Sequence, residues 1–139
     1  MLRPASALTP EIAALLGRAM FPDPARIERT LEAYRTEDSR QLFVWEVGGQ
    51  IVSAAGLRSD GQKAEVLHIG TRPDAGGRGY GRGLLHATAA HLNLSQLTAE
   101  TDDESVEFYR RSGFEIAQAP ARGERRRYLC TLICSPTAP

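Results

Sequence analysis

A chain of 139 residues suits one domain built around one core, residues 1–139, with no length to spare for a second. Hydrophobic residues make up 42% and charged residues 24%, while 17 basic side chains offset 17 acidic ones, so the dispersed arginines leave no nucleic-acid footprint. Arg3 and Pro4 interrupt the N-terminus and the apolar run Ile12 to Leu16 is too short to span a bilayer, so neither secretion nor membrane attachment is expected, and the expected location is cytoplasmic.

Leu2 to Ala5 reads as a short first strand. Thr9-Pro10-Glu11 then gives an N-cap, a proline at the first helical position and an acid in the first turn, and Ile12, Leu15, Leu16 and Ala19 continue at helical spacing to about Met20. Asp23 before Pro24 caps a second helix with Ile27, Leu31 and Tyr34 on one face. From Gln41 the period changes to that of strands: Leu42 to Val47, a Gly48-Gly49 hairpin turn, Gln50 to Leu57, a turn at Ser59-Asp60-Gly61, and Ala64 to Thr71. A helix from about Gly79 to Leu92, burying Leu84, Leu85, Thr88 and Leu92, leads to a strand at Leu97 to Thr101. Strand, crossover helix and strand make a right-handed βαβ unit. Asp102 to Arg111 is a short helix with acids first and arginines last, and Gly113 follows as a suitable C′ residue. Phe114-Glu115-Ile116 and Tyr128 to Ile133 form a closing hairpin around an arginine-rich loop, Arg122 to Arg127. Cys130 and Cys134 fall in one expected strand, where four residues of rise at roughly 3.3 Å each hold them too far apart for a disulfide. Two cysteines do not make a structural zinc site either, and no metal is expected.

The stretch Gly76 to Leu85, Gly-Gly-Arg-Gly-Tyr-Gly-Arg-Gly-Leu-Leu, organises the chain. Glycines let the backbone take positive φ and let another group approach closely, and a glycine-rich turn feeding a helix presents unpaired N–H groups and the positive dipole end to an anion. The ligand is therefore a phosphate or pyrophosphate. A P-loop needs a lysine after its last glycine, and the only lysine is Lys63. The dinucleotide fingerprint fails because its sixth position is Arg82, Leu84 or His86 from the three possible starts. What the stretch resembles is motif A of the GNAT superfamily of acyl-CoA-dependent N-acetyltransferases, Gln/Arg-x-x-Gly-x-Gly/Ala after a proline-containing turn. Starting that pattern at Gly76 aligns Pro73, Gly79, Gly81 and the Leu84-Leu85 pair, with Gly76 standing where the family carries Gln or Arg and Arg78 available in its place. Asp102 to Phe114 resembles the same family's motif B, through Phe108-Tyr109 and Gly113-Phe114.

The resemblance covers about residues 40 to 116, and it implies an α+β fold, layered α/β/α, with a mixed, mostly antiparallel sheet and a βαβ acetyl-CoA-binding core. It implies that Gly76, Gly77, Arg78, Gly79, Tyr80, Gly81 and Arg82 cradle the CoA phosphates, that backbone groups of Ile69, Gly70 and Thr71 hold pantetheine, and that Tyr109 lies at the thioester sulfur as general acid. A base to free the amine of its proton is sought among Glu65, at an offset used by the histone acetyltransferase branch, Glu100, Asp102 and His68; a solvent-facing strand position accounts for either glutamate equally well. Helices at the N-terminus border the acceptor in this family, which would bring Met20, Phe21 and Tyr34 to the substrate, although core packing explains the same residues. The arginine-rich loop is either a solvated tip or a clamp for CoA phosphates or an acidic acceptor. Acetyl transfer to a small-molecule or protein amine is thus one expectation, and a catalytically silent acyl-CoA-binding regulatory module is the other. Monomer and homodimer both remain open.

Overall fold

Cap chemistry sets the first two helices. A computed structural model describes residues 1–135. After strand β1 (Leu2–Ala5), the Thr9 hydroxyl accepts from the Ile12 N–H at 3.3 Å and starts α1 (Pro10–Gly17). Asp23 Oδ1 accepts from the N–H groups of Ala25 and Arg26 and starts α2 (Pro24–Thr36). Helix α1 ends at Gly17, short of Met20, because the chain tightens through Ala19 N–H to Leu16 O and Met20 N–H to Gly17 O.

The sheet follows as β2 (Arg40–Val47), β3 (Gln50–Asp60) and β4 (Lys63–Thr71), then β5 (Gln96–Thr101), β6 (Glu115–Arg122) and β7 (Arg125–Ile133). Its order is β1-β2-β3-β4-β5-β7-β6, with every neighbouring pair antiparallel except β4 and β5. Helices α3 (Tyr80–His91) and α4 (Val106–Arg111) complete the chain, and α3 is the crossover between the parallel pair. The mixed, mostly antiparallel sheet and the βαβ unit are those expected from the sequence.

Three further boundaries differ from the sequence reading. The second hairpin turn falls at Gly61-Gln62, since β3 runs on to Asp60. The arginine-rich segment is mostly strand, because β6 and β7 pair as far as Arg122 and Arg125 and leave Gly123-Glu124 as the turn. Helix α4 starts only at Val106; the preceding residues form a turn in which Asp102 Oδ1 accepts from the N–H groups of Glu104 and Ser105. Cys134 lies one residue past β7, and both thiols are free; burial pushes Cys130 up to about 11.

Each face of the sheet carries its own core. Leu84, Leu85 and Ala89 of α3 and Tyr109 of α4 pack with Phe43, Val66, Leu97, Ala99 and Cys130 on one face, while Leu92, at the end of α3, is only partly buried. Ile12, Leu15 and Leu16 of α1 and Leu31 and Tyr34 of α2 cover Leu42, Val44 and Ala54 on the other. Two strand glycines allow that second layer to come close. A Cβ on Gly70 would lie 1.9 Å from the Leu15 carbonyl oxygen, and one on Gly56 would lie 2.2 Å from the Tyr34 hydroxyl. Among the described residues, no helix is long and apolar enough to cross a membrane.

Candidate active site

The glycine stretch lies at the C-terminal end of β4. Arg72 braces its start with two hydrogen bonds to the Asp74 carboxylate and one to Gln50, and a 3-10 turn at Pro73–Ala75 leads into it. Gly77 and Gly79 take φ of +78° and +76°, the left-handed region that excludes most side chains. Gly79 is the N-cap of α3 and no side chain caps the helix. The first hydrogen bond of the helix runs from Gly83 N–H to Gly79 O, so the N–H groups of Tyr80, Gly81 and Arg82 have no intrahelical partner and point out of the helix. A Cβ on Gly79 would meet nothing within 4 Å, which leaves open space at the cradle. At Gly81 a Cβ would lie 3.0 Å from the Phe108 ring of α4, whereas at Gly83 it would make ordinary contact, 3.6 Å, with Trp45. The structure thus demands glycine at 79 and near-absence of side chain at 81, the pair singled out when the pattern begins at Gly76. Arg78 and Arg82 are exposed and make no ion pair among the described residues.

Beside this cradle the sheet opens. Parallel pairing of β4 and β5 covers Lys63 to Val66 against Gln96 to Ala99 and stops there, although β4 continues to Thr71 and β5 to Thr101. Leu67 to Thr71 therefore have β3 on one side and no strand on the other. Arg72 N–H bonds Val52 O of β3, so by alternation Gly70 is turned to β3 and the backbone groups of Ile69 and Thr71 face the gap, a correction to the expectation that all three are available. Ser53 fixes this edge from below, its hydroxyl bonding the Gly70 carbonyl and the Thr71 hydroxyl, both at 3.1 Å. A bulge between Gly56 and Leu57 shifts the register so that Leu67 and His68 both face the α1 and α2 side.

Tyr109 sits on the α3 and α4 side, 6% exposed, with the rings of Phe108 and Phe114 edge-on at 5.1 and 5.2 Å. Its hydroxyl makes no hydrogen bond among the described residues. Burial, with a smaller contribution from Cys130, pushes the phenol well above its ordinary value, so it keeps its proton. Glu100 is the first β5 residue beyond the last pair with β4 and lies on the opposite face, where its carboxylate meets Arg127 at 3.2 Å and Arg122 at 3.4 Å. Glu65 lies further back, opposite Thr98 where the strands still pair, and it is ion-paired with Arg58 at 3.0 Å. The structure therefore brings Glu100, not Glu65, to the opening. Asp102 is used as a turn acceptor, as described above.

His68 adjoins the opening on the α2 side, and its pairing with Tyr34 has no sequence signal beyond the glycine at 56. The Tyr34 hydroxyl lies 2.6 Å from His68 Nδ1. Burial drives the phenol up, so Tyr34 keeps its proton in this contact. Burial, then the Arg40 guanidinium, lowers His68 to about 4. An unfolded histidine titrates near 6.5. Between those values the unfolded chain takes a proton that the folded one refuses, so stability falls as pH falls. Urea unfolding at pH 7 and pH 4.5 is expected to show wild type losing about 2 kcal/mol more than His68→Gln over that interval. Equal losses would show that His68 is not held neutral.

Together these features define an α+β domain with an uncapped, glycine-lined helix start at one end of a split sheet. A family model for the acetyltransferase (GNAT) domain matches residues 38–116, and the chain belongs to this family of acyl-transferring enzymes. An uncharacterised N-acetyltransferase of Bacillus methanolicus is 30% identical over 66 residues, spanning 47% of this chain and 55% of that protein, so the match takes in about half of each. Among solved structures, a GNAT family acetyltransferase from Elizabethkingia anophelis with acetyl-CoA bound superposes with a TM-score of 0.70 at 20% identity, over 96% of this chain and 97% of that one. The ribosomal-protein-S18-alanine N-acetyltransferase of Escherichia coli gives 0.70 at 18% identity, over 99% and 97%. At these identities the likeness is one of fold.

Proposed function

We propose that this protein transfers an acetyl group from acetyl-CoA to a primary amine within a ternary complex, with no side chain acylated on the way. The observation that carries the reading is the uncapped, glycine-lined start of α3 beside the open edge of β4. The N–H groups of Tyr80, Gly81 and Arg82 bind the pyrophosphate, with Arg78 and Arg82 in reach of its charge. Gly79, with open space above it, lets the phosphates approach. Backbone groups of Ile69 and Thr71 pair with the pantetheine amides and lead the thioester into the gap.

Acetyl-CoA supplies an activated thioester: the amine nitrogen forms a C–N bond to its carbonyl carbon, the C–S bond breaks, and amide and free thiol result. Glu100, at the mouth of the gap on the acceptor side, takes the proton that the ammonium must lose before it can attack. Glu65, held by Arg58 behind the paired part of the strands, stays a supporting charge. Tyr109 presents a protonated hydroxyl to the departing sulfur and supplies the thiolate's proton. That hydroxyl has no duty within the fold, which counts against a silent binding module. The acceptor, a small-molecule or protein amine, enters from the α1 and α2 side.

Calorimetric titration of acetyl-CoA and CoA into the protein, followed by thiol release over a panel of amines, tests the reading. One-to-one micromolar binding and turnover of at least one amine are expected. Absence of binding would overturn it.

A further inference from the structure

Phe21, in the loop between α1 and α2, is half exposed and carries a guanidinium on either hand: Arg26 at 5.7 Å and Arg125 at 5.4 Å from the ring centroid. Arg125 is the first residue of β7, so the contact ties the α1–α2 loop to the β6–β7 hairpin across the face that holds His68 and Glu100. On that face Glu100 is shared by Arg122 and Arg127. Two guanidiniums thus meet the Glu100 carboxylate, and two more, Arg26 and Arg125, flank Phe21, with Arg125 on the same hairpin as Arg122 and Arg127. Of the acids on neighbouring elements, Asp23 accepts from backbone N–H groups at the start of α2, Asp103 accepts from the Tyr128 hydroxyl at 2.6 Å, and Glu124 lies in the hairpin turn.

We propose that this face selects an acceptor whose amine stands beside a carboxylate, an amino acid rather than a polyamine. The inference rests on the acetyltransferase reading and specifies its substrate class. Glu100 receives the ammonium, and Arg122 and Arg125 receive the carboxylate, for which the planar guanidinium fork is shaped. A polyamine would meet like charge at Arg122, Arg125 and Arg127.

The test compares alanine, leucine and glutamate with their α-carboxamides and decarboxylated amines, by thiol release and by calorimetry into CoA-saturated protein. Amino acids are expected to exceed both analogues by about tenfold or more in kcat/KM, mainly through KM, the size of one charge-assisted contact. Arg125→Gln and Arg122→Gln should each remove most of that preference, read as the ratio of amino acid to decarboxylated amine within each variant, with acetyl-CoA affinity retained. Equal or better use of the analogues, or a preference that survives both substitutions, would overturn the proposal while leaving acetyl transfer standing. Failure to bind acetyl-CoA and to turn over any amine would remove both.

Discussion

Gly81→Val is expected to weaken acetyl-CoA binding by about tenfold or more, while Gly83→Ala changes it by less than about threefold. The two glycines lie on the first turns of the same helix but meet different neighbours. A side chain at 81 collides with Phe108, so either that ring or the start of α3 must give way, and the N–H groups of Tyr80, Gly81 and Arg82 turn from the pyrophosphate they are proposed to hold. At 83 a methyl group makes ordinary contact with Trp45. Had the motif begun at Arg78, the sensitive pair would be 81 and 83 and both variants would fail. Circular dichroism and thermal melting separate lost cradle geometry from lost folding. A Gly81→Val protein that melts like wild type and binds normally would remove the cradle from the mechanism.

Tyr109→Phe is expected to slow acetyl transfer by about 10²-fold, as removal of a positioned acid does, with acetyl-CoA affinity and melting temperature close to wild type. The combination is diagnostic because the hydroxyl has no hydrogen-bonding partner among the described residues. Phenylalanine preserves the edge-on packing with Phe108 and Phe114, so a tyrosine present only for packing would tolerate the change in every assay. A loss of less than threefold would assign the thiolate's proton to another donor.

The parts legible in the sequence are those governed by near neighbours along the chain. Thr9 and Asp23 declare their helices because a cap acts over three residues, and Gly48-Gly49 declares its hairpin because the turn needs positive φ at both positions. The glycine stretch is legible for the same reason. Family resemblance added the meaning of Tyr109, which composition and periodicity alone show only as a helix aromatic. What stayed hidden depends on distant partners. The bulge opposite Leu67 arises from pairing between two strands, and nothing local marks it. Glu65 and Glu100 look alike as strand glutamates, and only the point where β4 and β5 part distinguishes them. Arginines 122 to 127 read as a loop because charged runs usually are, yet strand pairing through Ala119 and Arg127 carries them onto the sheet.

The four-pair union of β4 and β5 makes the sheet two panels sharing a narrow seam: β1 to β4 on one side, β5 to β7 on the other. A pantetheine arm threaded along Ile69 to Thr71 would act as the rungs missing from that seam, fastening the panels with hydrogen bonds of the kind a strand provides. Substrate would then be part of the architecture as well as its cargo, and each departure of product would return the protein to a looser, partly unlaced sheet.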